Sequence, residues 1–130
     1  MRQGENDGFT DIGNVKISDE VVAAIAGMTA VDVPGVVGMS AGLVGGIADL
    51  IGKKNPAKGV KVHIGEREVA VDLYIVVEYG QRIPDVALIV QEKVKEVIET
   101  STGMAVVEVN VHVQGVGFTQ DEPENGVRVR

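Results

Sequence analysis

The sequence predicts an α+β fold, a single two-layer sandwich in which two main helices pack on one face of a small mixed β-sheet. Three segments predict the sheet because apolar and polar residues alternate along them: 59–65, 68–80 and 105–114. Two segments, 19–32 and 84–102, predict helices because their apolar residues recur at helical spacing. With helices on one face, the other face of the sheet stays polar.

The first elements are a short strand at 14–17 and the helix at 19–32. Ser18 can cap this helix, and Asp19 and Glu20 in its first turn suit the positive end of the helix dipole. Its apolar stripe is carried by residues at helical spacing, namely Val21, Ile25 and Met28, flanked by Val22 and Thr29. A Pro-Gly pair at 34–35 ends the helix.

Two strands follow, joined by a hairpin connection at 65–67. The first buries alternate residues and exposes Lys61 and His63. The second is the clearest strand of the sequence, with two rows of side chains. One row faces one side: Val69, Val71, Leu73, Ile75, Val77 and Tyr79. The other row faces the opposite side: Glu68, Ala70, Asp72, Tyr74, Val76 and Glu78.

The long second helix begins near Pro84 and ends at Gly103. Its core stripe consists of aliphatic residues, namely Val86, Ile89, Val90, Val94, Val97 and Ile98. A crossover through this helix makes the last two strands parallel. The last strand is predicted to bury Ala105, Val107, Val109, Val111 and Val113 and to expose Glu108, Asn110, His112 and Gln114.

At 130 residues the chain fits one domain. We expect the folded domain at 13–118, a flexible N-terminal tail at 1–12 and a flexible acidic C-terminal tail at 119–130. There is no cysteine, which excludes disulfides and thiolate metal sites. The absence of cysteine also fits a reducing cytoplasm. No stretch resembles a signal peptide or reaches the ~20 apolar residues of a membrane-spanning helix, so a soluble chain is expected.

The net charge of −7 disfavours general binding to nucleic acid, and no DNA partner is expected. The charge is nevertheless uneven, because residues 53–67 have a local charge of +4. This basic patch for an anion or nucleic acid consists of Lys53, Lys54, Lys58, Lys61 and Arg67. An ordinary solvated lysine-rich loop is the alternative interpretation.

The glycine-rich segment 35–54 contains Gly52 followed by Lys53, a pair that also ends phosphate loops. The motif fails, because Ile47 stands where it needs glycine and Lys54 stands where it needs serine or threonine. No cofactor is therefore predicted. Residues 35–40 are predicted to be extended, and 41–54 to form a mobile apolar loop or a weak helix. The apolar residues of 41–54 are expected to pack loosely on the core or to contact a partner, namely Leu43, Val44, Ile47, Leu50 and Ile51.

Two further interpretations of the sequence remain open. Gly42 to Gly45 has the G-x-x-G form of a KH loop, which with the lysines at 53–61 would make an RNA-associated module. His63 and His112, with Asp72 or Glu108 nearby, could form a loose zinc or copper site. Exposed histidines on a polar sheet face are more common than such a site. Separately, no serine has a histidine and an acid arranged beside it for nucleophilic catalysis. We expect no enzyme, no catalytic residue and no metal site.

The order of motifs resembles the alkaline shock protein family, the general-stress and envelope-stress-response proteins of Gram-positive bacteria. The resemblance covers residues 13–118 and is carried most specifically by three motifs: "ISDEVVAAIAG" at 17–27, "YGQRIPDVA" at 79–87 and "VNVHVQGV" at 109–116. This family has no established catalytic residues, so none is transferred to this chain.

The resemblance implies a cytoplasmic, non-enzymatic protein of the envelope or alkaline stress response. Such proteins associate with themselves, and some are held at the inner face of the membrane by a separate small membrane-anchored partner. Some are encoded beside fatty-acid biosynthesis genes, which implies the alternative of a regulator of that pathway through protein contact. We therefore expect a self-associating scaffold for protein interactions, with Tyr74 and Val76 on the exposed sheet face as further contact residues.

Overall fold

The structure, a computed structural model, describes residues 9–10, 12–44, 47–51 and 57–118, and the side chains at 12–40 and 57–118. Its architecture is the predicted α+β fold, a two-stranded ribbon beside a five-stranded sheet that two helices cover. The elements in chain order are β1 (Phe9–Thr10), β2 (Gly13–Asn14), α1 (Asp19–Val31), β3 (Val36–Val44), β4 (Ile47–Ile51), β5 (Val60–Ile64), β6 (Glu68–Glu78), α2 (Ile83–Thr102) and β7 (Ala105–Gly117).

Strand β6 is the centre of the sheet. On one edge it pairs antiparallel with β5, from Val60 opposite Leu73 onward, and with β3, from Met39 opposite Ile75 onward. These two strands thus lie end to end along the same edge of β6. The other edge pairs parallel with β7 over the whole length of β6. The parallel pairing confirms the crossover predicted for α2.

The core lies between the sheet and the helices. The predicted inner row of β6 is buried, with Val69, Val71, Leu73, Ile75 and Val77 fully inaccessible to solvent. Alternate residues of a strand point to one face, so a single row meets the helices. Helix α2 contributes Val86, Val90, Val94 and Ile98, as its stripe predicted. Ile89 is exposed and lies outside the core.

Helix α1 begins as predicted but buries a different face. The Ser18 hydroxyl accepts a hydrogen bond from the Val21 backbone N–H at 3.3 Å. The predicted stripe was wrong for Val21 and Met28, which are 49% and 51% exposed, whereas Val22 is fully buried and Ile25 packs against the core. The buried face consists of small residues and one valine, namely Val22, Ala23, Ala26, Gly27 and Ala30. Since α1 contacts α2, β3 and β5, small side chains allow these elements to approach closely.

The strand predicted at 14–17 was wrong. Within that range only Asn14 belongs to a β-strand. Together with Gly13 it pairs with Phe9 and Thr10 of the predicted N-terminal tail. Val15 is exposed, which agrees with a segment that belongs to no sheet. Of the other residues in the two predicted tails, 1–8, 11 and 119–130 lie outside the described residues. Ile12 is described and lies beside the ribbon.

The glycine-rich segment forms two strands. The extended structure predicted for 35–40 is confirmed, but β3 continues to Val44 and β4 returns antiparallel from Ile47. The loop or weak helix predicted for 41–54 was therefore wrong at 41–44 and 47–51. Glycine disfavours a helix, and pairing of the two strands in a hairpin satisfies the hydrogen bonds of their backbone N–H and C=O groups instead. Strand β4 also contacts β7, so the hairpin curls across the sheet instead of widening it.

Strand β7 is shifted from its predicted phase at its start. A bulge between Val106 and Glu108 buries Val106 and leaves Val107 56% exposed. Ala105 and Val107 were therefore wrongly predicted to be buried. Beyond the bulge the prediction is correct, because Val109, Val111 and Val113 pack against the core. Tyr79, predicted to face the core, lies just past the end of β6 and is exposed.

Replacing Gly59 with alanine should destabilise the fold by about 1–3 kcal/mol. Gly59 has φ +81°, and a Cβ there would lie 2.8 Å from the Ser40 carbonyl oxygen where β3 meets β5. Gly80 is the matched control, since it has φ +94° but nothing within 4 Å of its Cβ position. Urea unfolding of Gly59→Ala and Gly80→Ala measures both losses. Equal losses would show that the close approach to β3 costs nothing.

Candidate functional site on the open sheet face and at the β7 end

The open sheet face carries a group of polar side chains from β5, β6 and β7. Lys61, Asp72 and Asn110 are direct neighbours across these three strands, and Tyr74 is opposite His112. Since alternate residues share a face, His63 lies on it as well. We call His63, Asp72, Tyr74, Asn110 and His112 the Asp72 cluster.

One carboxylate lies between the two imidazoles of the Asp72 cluster. Asp72 Oδ1 is 3.2 Å from His112 Nε2, and Asp72 Oδ2 is 3.5 Å from His63 Nε2. The hydrogen bond with His112 is the main reason that the pKa of Asp72 lies below its ordinary value, and a hydrogen bond from Asn110 and the charges of both histidines lower it further. Partial burial opposes this shift. The sequence left open an approach of His63 and His112 with Asp72 or Glu108 nearby, and the acid between them is Asp72.

Tyr74 is held within the same cluster. Its ring stacks on His112 with centroids 4.5 Å apart and an interplanar angle of 11°. Lys61 Nζ lies 5.8 Å from the centroid of the Tyr74 ring, within reach of a cation–π contact. Tyr74 is thus half-buried by its own chain, and its predicted contact with a partner stays a prediction.

Val76, the other contact residue predicted on this face, was wrongly expected to be exposed. It is buried. Its cross-strand neighbours are Gly38 on β3 and Gly115 on β7, at the end of the sheet over which the β3–β4 hairpin curls. Glycine neighbours leave room for this covering, so Val76 belongs to the interior.

Within the described side chains, no three His, Asp or Glu residues are arranged to hold a metal ion. In the cluster both Nε2 atoms contact the carboxylate oxygens themselves. The geometry therefore gives the alternative of a zinc or copper site no support.

The described residues of the predicted basic patch line two different cavities. Lys58 and Lys61 line an open cavity of about 820 Å³ that also contains the acidic side chains of Asp19 and Glu20 from α1. Arg67 lines a separate cavity of about 730 Å³ at the other end of β5. Lys53 and Lys54 lie outside the described residues.

The KH-like hypothesis is wrong in its structural basis. Gly42, Leu43 and Val44 belong to strand β3, which pairs with β4, so they do not form a loop that could clamp a nucleic-acid backbone. Gly45 lies outside the described residues. The contact residues predicted in this hairpin, Leu43 and Val44 on β3 and Ile47, Leu50 and Ile51 on β4, have side chains outside the described set.

A second surface, which the sequence prediction missed, lies where β6 and β7 end. We call Tyr79, Val116 and Phe118 the apolar end; they are 69%, 54% and 72% exposed. The two rings lie close together, with centroids 5.8 Å apart, and the Tyr79 N–H donates to the Gly117 carbonyl oxygen at 2.7 Å. The sequence contained one signal for this surface, namely that aromatic residues are rare and make up only 3% of the chain.

These features define a two-layer α+β domain with a self-paired polar sheet face and an exposed apolar end. The chain belongs to the alkaline shock protein 23 family, described as having a cell envelope-related function, whose model matches residues 8–118. The resemblance to the alkaline shock proteins is thereby confirmed. Helices long and apolar enough to cross a membrane are absent from the described residues.

Similar proteins occur in Bacillus subtilis and Streptococcus pyogenes. YloU of Bacillus subtilis is 41% identical over 112 residues, covering 85% of this chain and 93% of its own length. YqhY of the same organism is 38% identical, covering 84% and 81%. A "Stress response regulator gls24 homolog" of Streptococcus pyogenes is 33% identical, covering 78% of this chain and 57% of its own.

Solved structures titled "MamM CTD" align with this chain at low identity. One of them matches 74% of this chain and 95% of its own length, with 17% identity and a TM-score of 0.47. This likeness is too distant to bear on function.

Replacing Asp72 with asparagine should lower stability by about 1 kcal/mol at pH 7. Because the folded-state pKa of Asp72 is lowered, its stabilisation is present above the unfolded pKa and is lost as pH falls through the folded pKa. The difference between Asp72→Asn and wild type should therefore shrink below about pH 4.

Urea unfolding at pH 7 and pH 3 measures this difference. Glu108→Gln is the matched control, because Glu108 lies on the same face and pairs with the Asn110 amide at 3.4 Å instead of with an imidazole. It should change stability by less than about 0.5 kcal/mol. A loss for Asp72→Asn that is the same at both pH values would contradict the assignment.

Proposed function

We propose that the protein is a non-enzymatic, self-associating module for protein interactions in the envelope stress response. It acts in the cytoplasm, at the inner face of the membrane, where a separate membrane-anchored partner holds it. Membership of a family with a cell envelope-related function and the name of the streptococcal relative support the stress-response assignment.

The observation that carries the proposal is the apolar end. Exposed aromatic side chains are enriched at protein interfaces, where they remove a large apolar area from water for little loss of side-chain entropy. In this chain Tyr79 and Phe118 lie against each other at the surface while the core is built from aliphatic residues. A surface of this kind is favourable in contact with another protein.

The alternative function is regulation of fatty-acid biosynthesis through protein contact. It would use the same contact surface, and its partner would be a protein of that pathway instead of a membrane anchor. Tyr74 and the hairpin residues Leu43, Val44, Ile47, Leu50 and Ile51 are further contact residues of the proposal. The Asp72 cluster has the supporting role of keeping the polar face of the sheet ordered by contacts among its own side chains.

The average mass of the protein in solution should rise with concentration. Light scattering behind size exclusion, from low to high micromolar protein, measures this mass. We expect a species larger than the monomer in the upper part of the range, since hiding the apolar end from water favours association. A monomer at every concentration would contradict self-association.

The partner can be sought by crosslinking in the native cell. We expect a membrane-anchored protein in the crosslinked material, and a paired sample with Tyr79→Ser and Phe118→Ser should recover less of it. Recovery of a fatty-acid biosynthesis enzyme instead would favour the regulator. Equal recovery with both samples would exclude the apolar end as the contact.

A further inference from the structure

The outer edge of β5 carries backbone groups with which no described strand pairs. The register with β6 turns the N–H and C=O groups of every second residue outward, namely those of Val60, Val62 and Ile64. At one end of the pair the Tyr74 N–H donates to the Gly59 carbonyl oxygen at 2.8 Å. At the other end the Gly65 N–H donates to the Glu68 carbonyl oxygen, also at 2.8 Å. These two bonds fix the alternation, so three residues of β5 are open to a further strand.

Two cavities follow each other along this edge. The cavity of about 820 Å³ is lined by β5 from Val60 to His63, and the cavity of about 730 Å³ is lined by Ile64 and the connection after it. Residues between 15 and 23 line the opposite side of both cavities. The edge of β5 is therefore one side of a groove, whose other side is the segment that leads into α1. We call it the β5 groove.

The larger cavity reaches the outward backbone groups. In the helix layer it is lined by Glu20 and Ala23, and on the open face of the sheet it is lined by Lys61 and Tyr74. The inner edge of β5 is closed by its pairing with β6. A cavity that contacts both faces of β5 therefore passes round the outer edge, where the N–H and C=O groups of Val62 lie.

The basic side chains of β5 leave this edge accessible. Lysine on an edge strand usually discourages pairing with another chain. Here Lys61 Nζ lies 5.8 Å from the centroid of the Tyr74 ring. His63 Nε2 lies 3.5 Å from Asp72 Oδ2. Because Tyr74 and Asp72 belong to β6, both basic side chains lean inward over the open face and away from the outer edge.

The wall opposite β5 carries charges of opposite sign at its two ends. Lys16 lines the cavity beside Ile64, together with Arg67. Asp19 and Glu20 line the other cavity, beside the earlier part of β5. One further charge of each sign lies in the connections before and after β5, namely Lys58 and Glu66. The wall thus favours an acidic group near the end of β5 and a basic group nearer its start.

An extended peptide can meet both ends of this wall. The side chains of Val60, Val62 and Ile64 pack against the core, on the helix side of the sheet. Residues of an added strand that lie opposite them point to the same side, because directly opposed residues share a face. Such residues recur at every second position. The matching peptide therefore has an acidic and a basic residue two or four positions apart.

A second copy of β5 matches this groove poorly. In an antiparallel pair of two β5 strands centred on Val62, Lys61 of one copy lies opposite His63 of the other, which brings basic side chains together. On the helix side the second strand would present only Val60, Val62 and Ile64. None of these side chains can pair with the charged residues of the wall, so the groove favours a different protein.

We propose that the β5 groove binds an extended segment of a different protein, which adds to the sheet as a strand beside β5. The segment carries an acidic and a basic residue on the row that faces residues 15–23. Backbone hydrogen bonds supply affinity and the charged side chains supply selectivity, as in other domains that extend a sheet with a peptide. The site lies beside the first half of β6, apart from the apolar end, so the inference goes beyond the proposed function.

A synthetic peptide, acetyl-TETVTKT-amide, is the probe. Bound antiparallel to β5, it places its glutamate near Lys16, its valine opposite Val62 and its lysine near Glu20. A short peptide loses much conformational freedom on binding, so we expect a dissociation constant of about 0.1 mM. The control probe has an N-methylated valine, which cannot donate to the Val62 carbonyl oxygen and should bind about tenfold more weakly.

Hydrogen exchange of the full chain, followed by NMR, shows whether the probe adds as a strand. The amides of Lys61 and His63 bond to β6 and should be protected with or without the probe. The Val62 amide points outward and should exchange fast in the free protein. At about 1 mM probe its exchange should slow about tenfold, because most of the protein is then bound.

Charge substitutions test the match between the probe and the wall. Glu20→Lys should raise the dissociation constant of the probe about threefold, because it brings two basic side chains together. Glu92→Lys makes the same change of net charge on α2, outside the residues that line the groove, and should leave the constant unchanged. A probe with glutamate in place of its lysine should bind Glu20→Lys more tightly than wild type. Fluorescence anisotropy of labelled probes measures each constant, and thermal unfolding confirms that each variant folds.

The outcomes separate this inference from the proposed function. Unchanged exchange of the Val62 amide at about 1 mM probe overturns strand addition. Equal affinity of the probe for wild type and Glu20→Lys overturns the charge match. Protection of Val62 that grows with protein concentration, without any probe, makes a second copy the occupant and overturns the assignment of a different protein.

Self-association at the apolar end is tested independently of the groove. A protein with Tyr79→Ser and Phe118→Ser should bind the probe like wild type, because these residues lie outside the groove. Weaker binding by this variant would contradict a separate site. A wild-type monomer at every concentration, with normal probe binding, would overturn self-association and leave the β5 groove standing.

Discussion

The double pairing of β6 is the constraint on which the rest of the structure depends. It is antiparallel to β3 and β5 on one edge and parallel to β7 on the other. A parallel neighbour requires a crossover to the other end of the sheet, and α2 supplies it. The inner row of β6, from Val69 to Val77, is buried where α1 and α2 meet the sheet. The pairing and the alternating side chains of this one strand therefore determine where the helices pack, which residues form the core and which face of the sheet stays open.

The open face follows from the same alternation. Asp72 and Tyr74 lie between buried residues of β6, and their neighbours on β5 and β7 are polar as well. These side chains bond to one another through Asp72, His112 and His63, and Tyr74 stacks on His112. A face that satisfies its own polar groups has few left for a ligand. The exposed apolar side chains of the apolar end lie off this face, where β6 and β7 end.

The end of β7 connects the fold to the proposed function. Helix α2 must cross the sheet to make β7 parallel, and its side chains reach the β7 backbone as far as Val109. Beyond this point β7 continues to Gly117 without cover from α2, and it brings Phe118 to Tyr79. The two exposed aromatic rings on which the proposed function rests therefore lie beyond the part of β7 that α2 covers.

Much of the fold and part of the candidate site are determined by local sequence. Alternation in 68–78 and the stripe from Val86 to Ile98 are periodic signals, and a periodic segment can bury its apolar residues on one side only. The same alternation placed His63, His112 and Asp72 on one face. Ser18 and Gly103 cap their helices through contacts within a few residues.

Tertiary structure alone decided the rest, because each remaining feature depends on residues distant in the chain. Helix α1 buries its alanines and exposes Val21 and Met28, since its neighbours approach closely. The bulge after Val106 shifts the start of β7 by matching Val106 to Val69, and the hairpin of β3 and β4 lies over the end of the sheet that holds Val76. Tyr79 and Phe118 meet only because parallel pairing brings two strand ends together. The sequence by itself determines which residues alternate, and the packed sheet determines which distant residues meet.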